Sequence, residues 1–188
     1  GNGMAGHTAP AVFSRMNVEV TQMYYELDGT FPNHEANPID EANLADLKEM
    51  VKKKKADIGL AFDGDADRCF LVDEKGNAVN PSLLTALIAD RELQKKPGSP
   101  IIYNLISSRA VKEVVEENGG KPLRSRVGHS FIKAMMAESG AIFGGEHSGH
   151  FYFADFWRAD SGMLAALHAI AALGTSEKTL SELLAPYA

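Results

Sequence analysis

Three aspartates alternate through Asp63-Gly64-Asp65-Ala66-Asp67-Arg68, directly after the apolar run Ile58-Gly59-Leu60-Ala61-Phe62. Carboxylates this close repel one another unless a cation neutralises them. An all-oxygen donor set suits a hard divalent ion, and Mg²⁺ takes few protein ligands, leaving the rest to water or phosphate. Asp63, Asp65 and Asp67 are therefore the expected Mg²⁺ ligands. A loop at the carboxyl end of a strand is also where open α/β sheets bind ligands. A solvated acidic turn competes with this reading, and the apolar strand in front of it argues against that. A calcium EF-hand loop counted from Asp63 would end on Glu74, but Arg68 stands where its sharp turn needs glycine, and the flanks read as strands.

A second constellation, Gly145-Glu146-His147-Ser148-Gly149-His150, also ends a strand. Its glycines let the backbone turn tightly and approach a ligand. Glu146 can accept two hydroxyl hydrogen bonds and Ser148 can donate and accept, which suits vicinal sugar hydroxyls. His147 and His150 could transfer protons or pair with an anion. A third segment, Arg126-Val127-Gly128-His129-Ser130, opens a helix. His129 falls near that helix N-terminus, where N–H groups favour anions; Ser130 is a plausible N-cap.

The elements that must position these loops alternate between strand and helix. Ala9 to Met16 has helical apolar spacing, and Val18 to Leu27, rich in β-branched and aromatic residues, reads as a strand. After a Gly/Pro/Asn loop, Asp40 caps a helix to about Lys54, whose terminal lysine run complements the helix dipole. Ile58 to Phe62 is a short buried strand. Cys69 to Val72 and Asn77 to Val79 suggest a hairpin, and Pro81 starts a helix to about Leu93. Strands at Pro100 to Leu105, Leu123 to Val127, Ala141 to Gly144 and Phe151 to Phe153 follow, with helices at Ser108 to Glu117, Ser130 to Ser139, Ser161 to Leu173 and Thr179 to Leu184. This rhythm means βαβ units and a mostly parallel sheet. The start, Gly1-Asn2-Gly3-Met4-Ala5-Gly6, reads as a strand-to-helix turn, so a strand is expected ahead of Gly1.

Composition sets the outer limits. The 188 residues are 45% hydrophobic and 23% charged, an ordinary globular balance. A formal net charge of −6 argues against a nucleic-acid partner held by bulk electrostatics. No apolar run approaches the ~18 residues of a membrane span. Cys69 is the single cysteine and reads as a buried small hydrophobe; with no intrachain disulfide possible, the chain reads as cytoplasmic.

Five segments in order carry a resemblance: Gly1 to Gly6, Asp28-Gly29-Thr30-Phe31-Pro32-Asn33-His34, Asp63 to Arg68, Val127-Gly128-His129-Ser130-Phe131-Ile132-Lys133, and Gly145 to His150. Together they resemble the α-D-phosphohexomutase superfamily, most closely its bacterial phosphoglucomutase/phosphomannomutase branch. The resemblance implies an α/β chain of two tandem three-layer α/β/α domains with mostly parallel mixed sheets. Residues 1–76 would be the metal-binding second domain of four and residues 77–188 the sugar-binding third. It implies an isomerase-class intramolecular phosphotransferase that interconverts hexose 6-phosphate and hexose 1-phosphate through a bisphosphorylated sugar. Asp63, Asp65 and Asp67 would hold Mg²⁺, with Arg68 beside the phosphate. Glu146 and Ser148 would bind sugar hydroxyls, Gly128 and His129 the substrate, and His150 would move a proton.

The sequence holds neither the family's phosphoserine loop, of Thr-Ala-Ser-His-Asn-Pro type, nor its fourth-domain phosphate loop. The expected partners are therefore hexose phosphates and the first and fourth domains of the same enzyme, and the chain alone is expected to be inactive. Relatives carry a lysine after the strand Pro100 to Asn104, whereas Leu105-Ile106-Ser107-Ser108-Arg109 offers Arg109 as the nearest cation. Alternatives are a non-catalytic module binding metal and sugar phosphate, a phosphoglucosamine mutase fragment, or a metal phosphatase with Asp63 as nucleophile. His147 fits the glucose/mannose branch better than the glucosamine branch, where glutamine is usual.

Overall fold

A computed structural model describes all 188 residues. Helix α1 (Ala5–Phe13) starts four residues before its expected position, because its buried stripe is Ala5, Ala9 and Phe13 rather than the later apolar residues. Val18 to Leu27, expected as a strand, is not one. Its backbone hydrogen bonds to the chain are those that Gly1 and Asn2 donate to the carbonyls of Met23 and Tyr24, beside a close approach of the Tyr25 backbone to Gly6. β-propensity expresses itself only against a neighbouring strand, and this segment has no ladder to join.

Asp40 caps the next element as expected, accepting from Ala42 N–H, but the cap opens a 3₁₀ turn, Glu41–Leu44, before helix α2 (Ala45–Lys54). Strands β1 (Ile58–Phe62) and β2 (Cys69–Asp73) pair antiparallel, with Phe62 opposite Cys69, so the aspartate loop is the tip of a hairpin. The hairpin expected between β2 and Asn77 to Val79 reduces to one bridge, Val72 to Ala78. That turn is shaped by Asp73, whose carboxylate accepts from the N–H groups of Lys75 and Asn77.

Helix α3 (Pro81–Lys95) has Pro81 in its first turn and Asn80 as its cap. It leads into a five-stranded sheet built from β3 (Pro100–Asn104), β4 (Lys121–Ser125), β5 (Phe143–Gly145), β6 (Phe151–Phe153) and β7 (Ala159–Asp160), in the order β4-β3-β5-β6-β7. The pairs β3/β4 and β3/β5 are parallel; β5/β6 and β6/β7 are antiparallel. The sheet is thus evenly mixed rather than mostly parallel. The physical reason is loop length: residues 146–150 cannot supply the dozen or more residues that a parallel crossover needs.

Helices cover both faces of this sheet. Ile101, Phe143, Phe151 and Phe153 point toward α3 and α6 (Gly162–Gly174), while Tyr103 meets Val111 and Val114 of α4 (Arg109–Glu117). On the opposite face Ile102 and Tyr152 pack on Ile132 and Met136 of α5 (His129–Ser139). Alternation by two along each strand sends neighbours to opposite layers. Phe62, Cys69 and Leu71 of the hairpin join the same core as α3 and α6. The last helix, α7 (Leu180–Leu184), is held by a capping box between Thr179 and Glu182. No helix is long and apolar enough to cross a membrane.

Candidate active site at the junction of two loops

The hairpin tip brings oxygen atoms of Asp63, Asp65 and Asp67 within 4.8 Å of one another. Ala66 lies between the last two at φ 66°, in the left-handed region that alanine seldom adopts. Asp63 is buried and Asp65 exposed. Burial first, then the charges of Asp63 and Asp65, push the Asp67 carboxyl up to about 6. Burial and like charge both disfavour the ionised form here, and a cation would offset both. The donor set and its unbalanced charge fit a hard divalent cation.

Arg68 offsets part of that charge. Its Nε donates to Asp63 Oδ2 at 2.6 Å, its N–H to Asp63 Oδ1 at 3.1 Å, and Nη1 reaches Asn37 Oδ1 at 3.5 Å. The guanidinium is therefore tied through Nε and Nη1, and Nη2 has no hydrogen-bond partner in the protein.

The second constellation meets the first directly. Arg68 and His150 form an antiparallel bridge, and Cys69 N–H donates to the Gly149 carbonyl at 3.2 Å. The approach depends on Gly149: at φ +88° a Cβ there would stand 2.4 Å from the Phe70 ring. Helix α6 presses on the same loop, since a Cβ on Gly162 would lie 2.6 Å from the Arg68 carbonyl oxygen. His150 stands across the seam. Its Nε2 is 3.5 Å from Asp67 Oδ1, its Nδ1 is 2.8 Å from Ser148 Oγ, and its ring meets that of His129 edge-on at 4.2 Å. Burial, then the neighbouring His129, lower its pKa below the ordinary histidine value. His150 is thus neutral near pH 7, able to accept a proton at one nitrogen while donating from the other.

Glu146 is 1% exposed. Its Oε1 accepts from Gly128 N–H at 3.0 Å, with Asn104 Nδ2 at 3.5 Å, and its Oε2 accepts from the Tyr152 hydroxyl at 2.8 Å. The residue expected to bind sugar hydroxyls here joins three strands and the start of α5. Ser130, expected as the cap of that helix, lies inside it; Gly128 at φ 128° is the capping residue, without a side-chain bond, and His129 is the first helical residue.

Two sequence candidates stand apart. Arg109, at the first turn of α4, is 93% exposed and pairs with Glu113 of its own helix rather than with either loop. His147 lines a cleft with Pro38, Leu44, Phe70 and Asn80. Two residues in or beside the junction, Asp160 and Tyr152, carry no sign in the sequence pattern of the site. Asp160 on β7 bonds His129 and Lys133, and Tyr152 bonds Glu146. A two-residue strand after Trp157-Arg158 leaves no pattern by which to find Asp160.

This geometry can be set beside known proteins. The family model described as phosphoglucomutase/phosphomannomutase, alpha/beta/alpha domain II, matches residues 1–76, and domain III matches residues 80–188. The chain belongs to the phosphoglucomutase/phosphomannomutase family. It is 42% identical over 188 residues to a phosphomannomutase of Escherichia coli, covering 97% of this chain and 41% of that protein. It is 39% identical over 178 residues to a phosphoglucomutase of Neisseria meningitidis, covering 94% and 39%. Among solved structures, a phosphoglucomutase/phosphomannomutase family protein from Burkholderia thailandensis superposes with a TM-score of 0.94 at 36% identity, over 100% of this chain and 41% of that one. The chain therefore spans about two fifths of the length of the family members it matches.

Proposed function

We propose that the chain is the metal- and sugar-holding centre of a hexose phosphate mutase, an isomerase-class phosphotransferase acting on glucose or mannose phosphates. The observation that carries the reading is the Arg68–His150 bridge, which sets an all-carboxylate cation loop against a loop of hydroxyl-binding and proton-carrying side chains. We take residues 1–76 as the metal-bearing part and residues 77–188 as the sugar-bearing part. The phosphoryl carrier and the distal phosphate grip would belong to further domains of the same enzyme. The names of the relatives at 39–42% identity, phosphomannomutase and phosphoglucomutase, favour glucose and mannose over glucosamine.

Phosphoryl transfer asks a protein for alignment and charge neutralisation more than for covalent chemistry. In this reading Asp63, Asp65 and Asp67 hold Mg²⁺, which when bound supplies positive charge to a phosphate oxygen. The Arg68 guanidinium, with Nη2 unpaired, would add a second positive group to the same loop. Ser148 and Glu146 receive sugar hydroxyls. Glu146 does so by sharing a carboxylate that already holds Gly128 and Tyr152. In the same reading His150, bonded to Ser148 and with its pKa lowered by burial, would take a hydroxyl proton as that oxygen attacks, and His129 would contact the substrate from the start of α5. A lone, buried Cys69 agrees with a cytoplasmic setting.

A coupled assay with glucose 1-phosphate and mannose 1-phosphate tests this in a protein that joins this chain to a phosphoserine-bearing domain and a phosphate-gripping domain. Turnover should require Mg²⁺ and fall by about 100-fold or more in Asp65→Ala, the scale of removing one preorganised electrostatic group. Mutase turnover that ignores both Mg²⁺ and Asp65 would remove the metal loop from the reaction.

A further inference from the structure

We propose that Asp160 is a positioning residue, one carboxylate that fixes both His129 and Lys133 at the mouth of the site. Asp160 Oδ2 lies 3.0 Å from His129 Nδ1 and Oδ1 lies 2.9 Å from Lys133 Nζ. The carboxylate is 10% exposed, whereas the side chains of His129 and Lys133 are 48% and 43% exposed. In an ordinary surface ion pair both partners move in solvent and little energy is at stake. Here the acid is the fixed point. Its backbone is held on both sides, by pairing of β7 with β6 at Tyr152 and by Ser161, which caps α6 by accepting from Leu164 N–H. Lys133 also lies over the Tyr152 ring at 5.8 Å, so its stem is guided at a second point.

The consequence for His129 is a choice of tautomer. An imidazole gives its proton to the nitrogen that has an acceptor, and the other nitrogen then presents a lone pair. With Nδ1–H given to Asp160, Nε2 is left without a hydrogen-bond partner in the protein, on a half-exposed ring that His150 flanks edge-on. His129 thus offers an acceptor to a hydroxyl when neutral and an N–H to an anion when protonated. Lys133 offers an ammonium beside it. What these two groups face, a sugar hydroxyl or a phosphate oxygen, rests on the hexose phosphate reading; the tautomer does not.

Nitrogen-15 NMR of the imidazole groups in this 188-residue chain tests the inference, with His129 assigned by loss of its signals in His129→Asn. Above the histidine range of pH, His129 should carry its proton on Nδ1. Asp160→Leu, which removes the acceptor at nearly the same size, should move the proton to Nε2, whereas Lys133→Met, which spares the carboxylate, should leave it on Nδ1. A proton on Nε2 in the unmodified chain, or an unchanged tautomer in a folded Asp160→Leu, overturns the proposal. The unmodified chain alone decides if the variant fails to fold. Glucose 1,6-bisphosphate should then shift the His129 Nε2 signal. No shift with Nδ1–H intact would count against the sugar phosphate reading and leave the Asp160–His129 pairing standing.

Discussion

Glu146 carries three partners before any ligand arrives. The Gly145 to His150 pattern marks it as a hydroxyl acceptor, and the hydroxyl it holds in the structure is that of Tyr152. Its actual partners, Gly128, Asn104 and Tyr152, come from three other stretches of chain, which no local spacing connects. The same limit hid Asp160, while the cluster of Asp63, Asp65 and Asp67, the proposed metal ligands, was legible because all three lie within one loop. At this scale the prediction concerns stability. Glu146→Ala leaves the half-buried Gly128 N–H and the buried Tyr152 hydroxyl without acceptors, a loss of about 1–3 kcal/mol for each group that is fully buried. Urea unfolding should therefore show a loss of about 2–5 kcal/mol for Glu146→Ala. Glu146→Gln, which keeps an acceptor for Gly128, should lose about 1 kcal/mol, the net worth of one hydrogen bond. An Ala variant as stable as the unmodified chain would mean that those contacts do not hold in solution.

Strands and helices of strong pattern were readable and their pairings were not. Ile58 to Phe62 and Cys69 to Val72 both read as strands, yet that they face each other across the aspartates is a tertiary fact: the loop residues alone suit a strand-to-helix turn equally well. Val18 to Leu27 has the composition of a strand and no partner to form one. A further tertiary link joins Glu74, after the hairpin, to α7. Its Oε1 accepts from the Ser181 hydroxyl at 2.6 Å and its Oε2 from Ser181 N–H at 3.1 Å. Burial raises the Glu74 carboxyl, but these bonds outweigh it and bring it down to about 2 from an ordinary 4.5. A depressed carboxylate stabilises the fold fully above its unfolded value and loses that contribution as pH falls toward the folded one. The link should therefore weaken between about pH 4.5 and pH 2. Glu74→Gln should lower stability at pH 7 by about 1–2 kcal/mol. It should also flatten the pH dependence in that window. Equal slopes for variant and unmodified chain would show that Glu74 does not titrate against α7.

For the molecule as a whole, the two regions that match separate family domains share one core. Ala5, Phe62, Cys69 and Leu71 pack in the same cluster as Leu84, Phe143, Phe151 and Ala165. The α/β class followed from the alternation of patterns along the chain, and this fusion did not, because periodicity reports which face is apolar and not what covers it. A shared core predicts shared unfolding: urea transitions followed by far-UV circular dichroism and by tyrosine fluorescence should coincide. Two resolved transitions would mean that the hairpin region and the larger sheet are independent units.

The same fusion places the aspartate loop against the histidine loop, and that junction is the centre of the functional account. Mn²⁺ is a paramagnetic substitute for Mg²⁺ at oxygen sites, and it broadens the NMR signals of nearby nuclei. Titrated into the nitrogen-15-labelled chain, one equivalent should broaden the amide signals of Asp63 to Arg68 together with those of Ser148, Gly149 and His150. Asp65→Ala should abolish both effects at once. Broadening confined to other acidic surface residues, or to the aspartate loop without Ser148 to His150, would contradict a single site built from both loops.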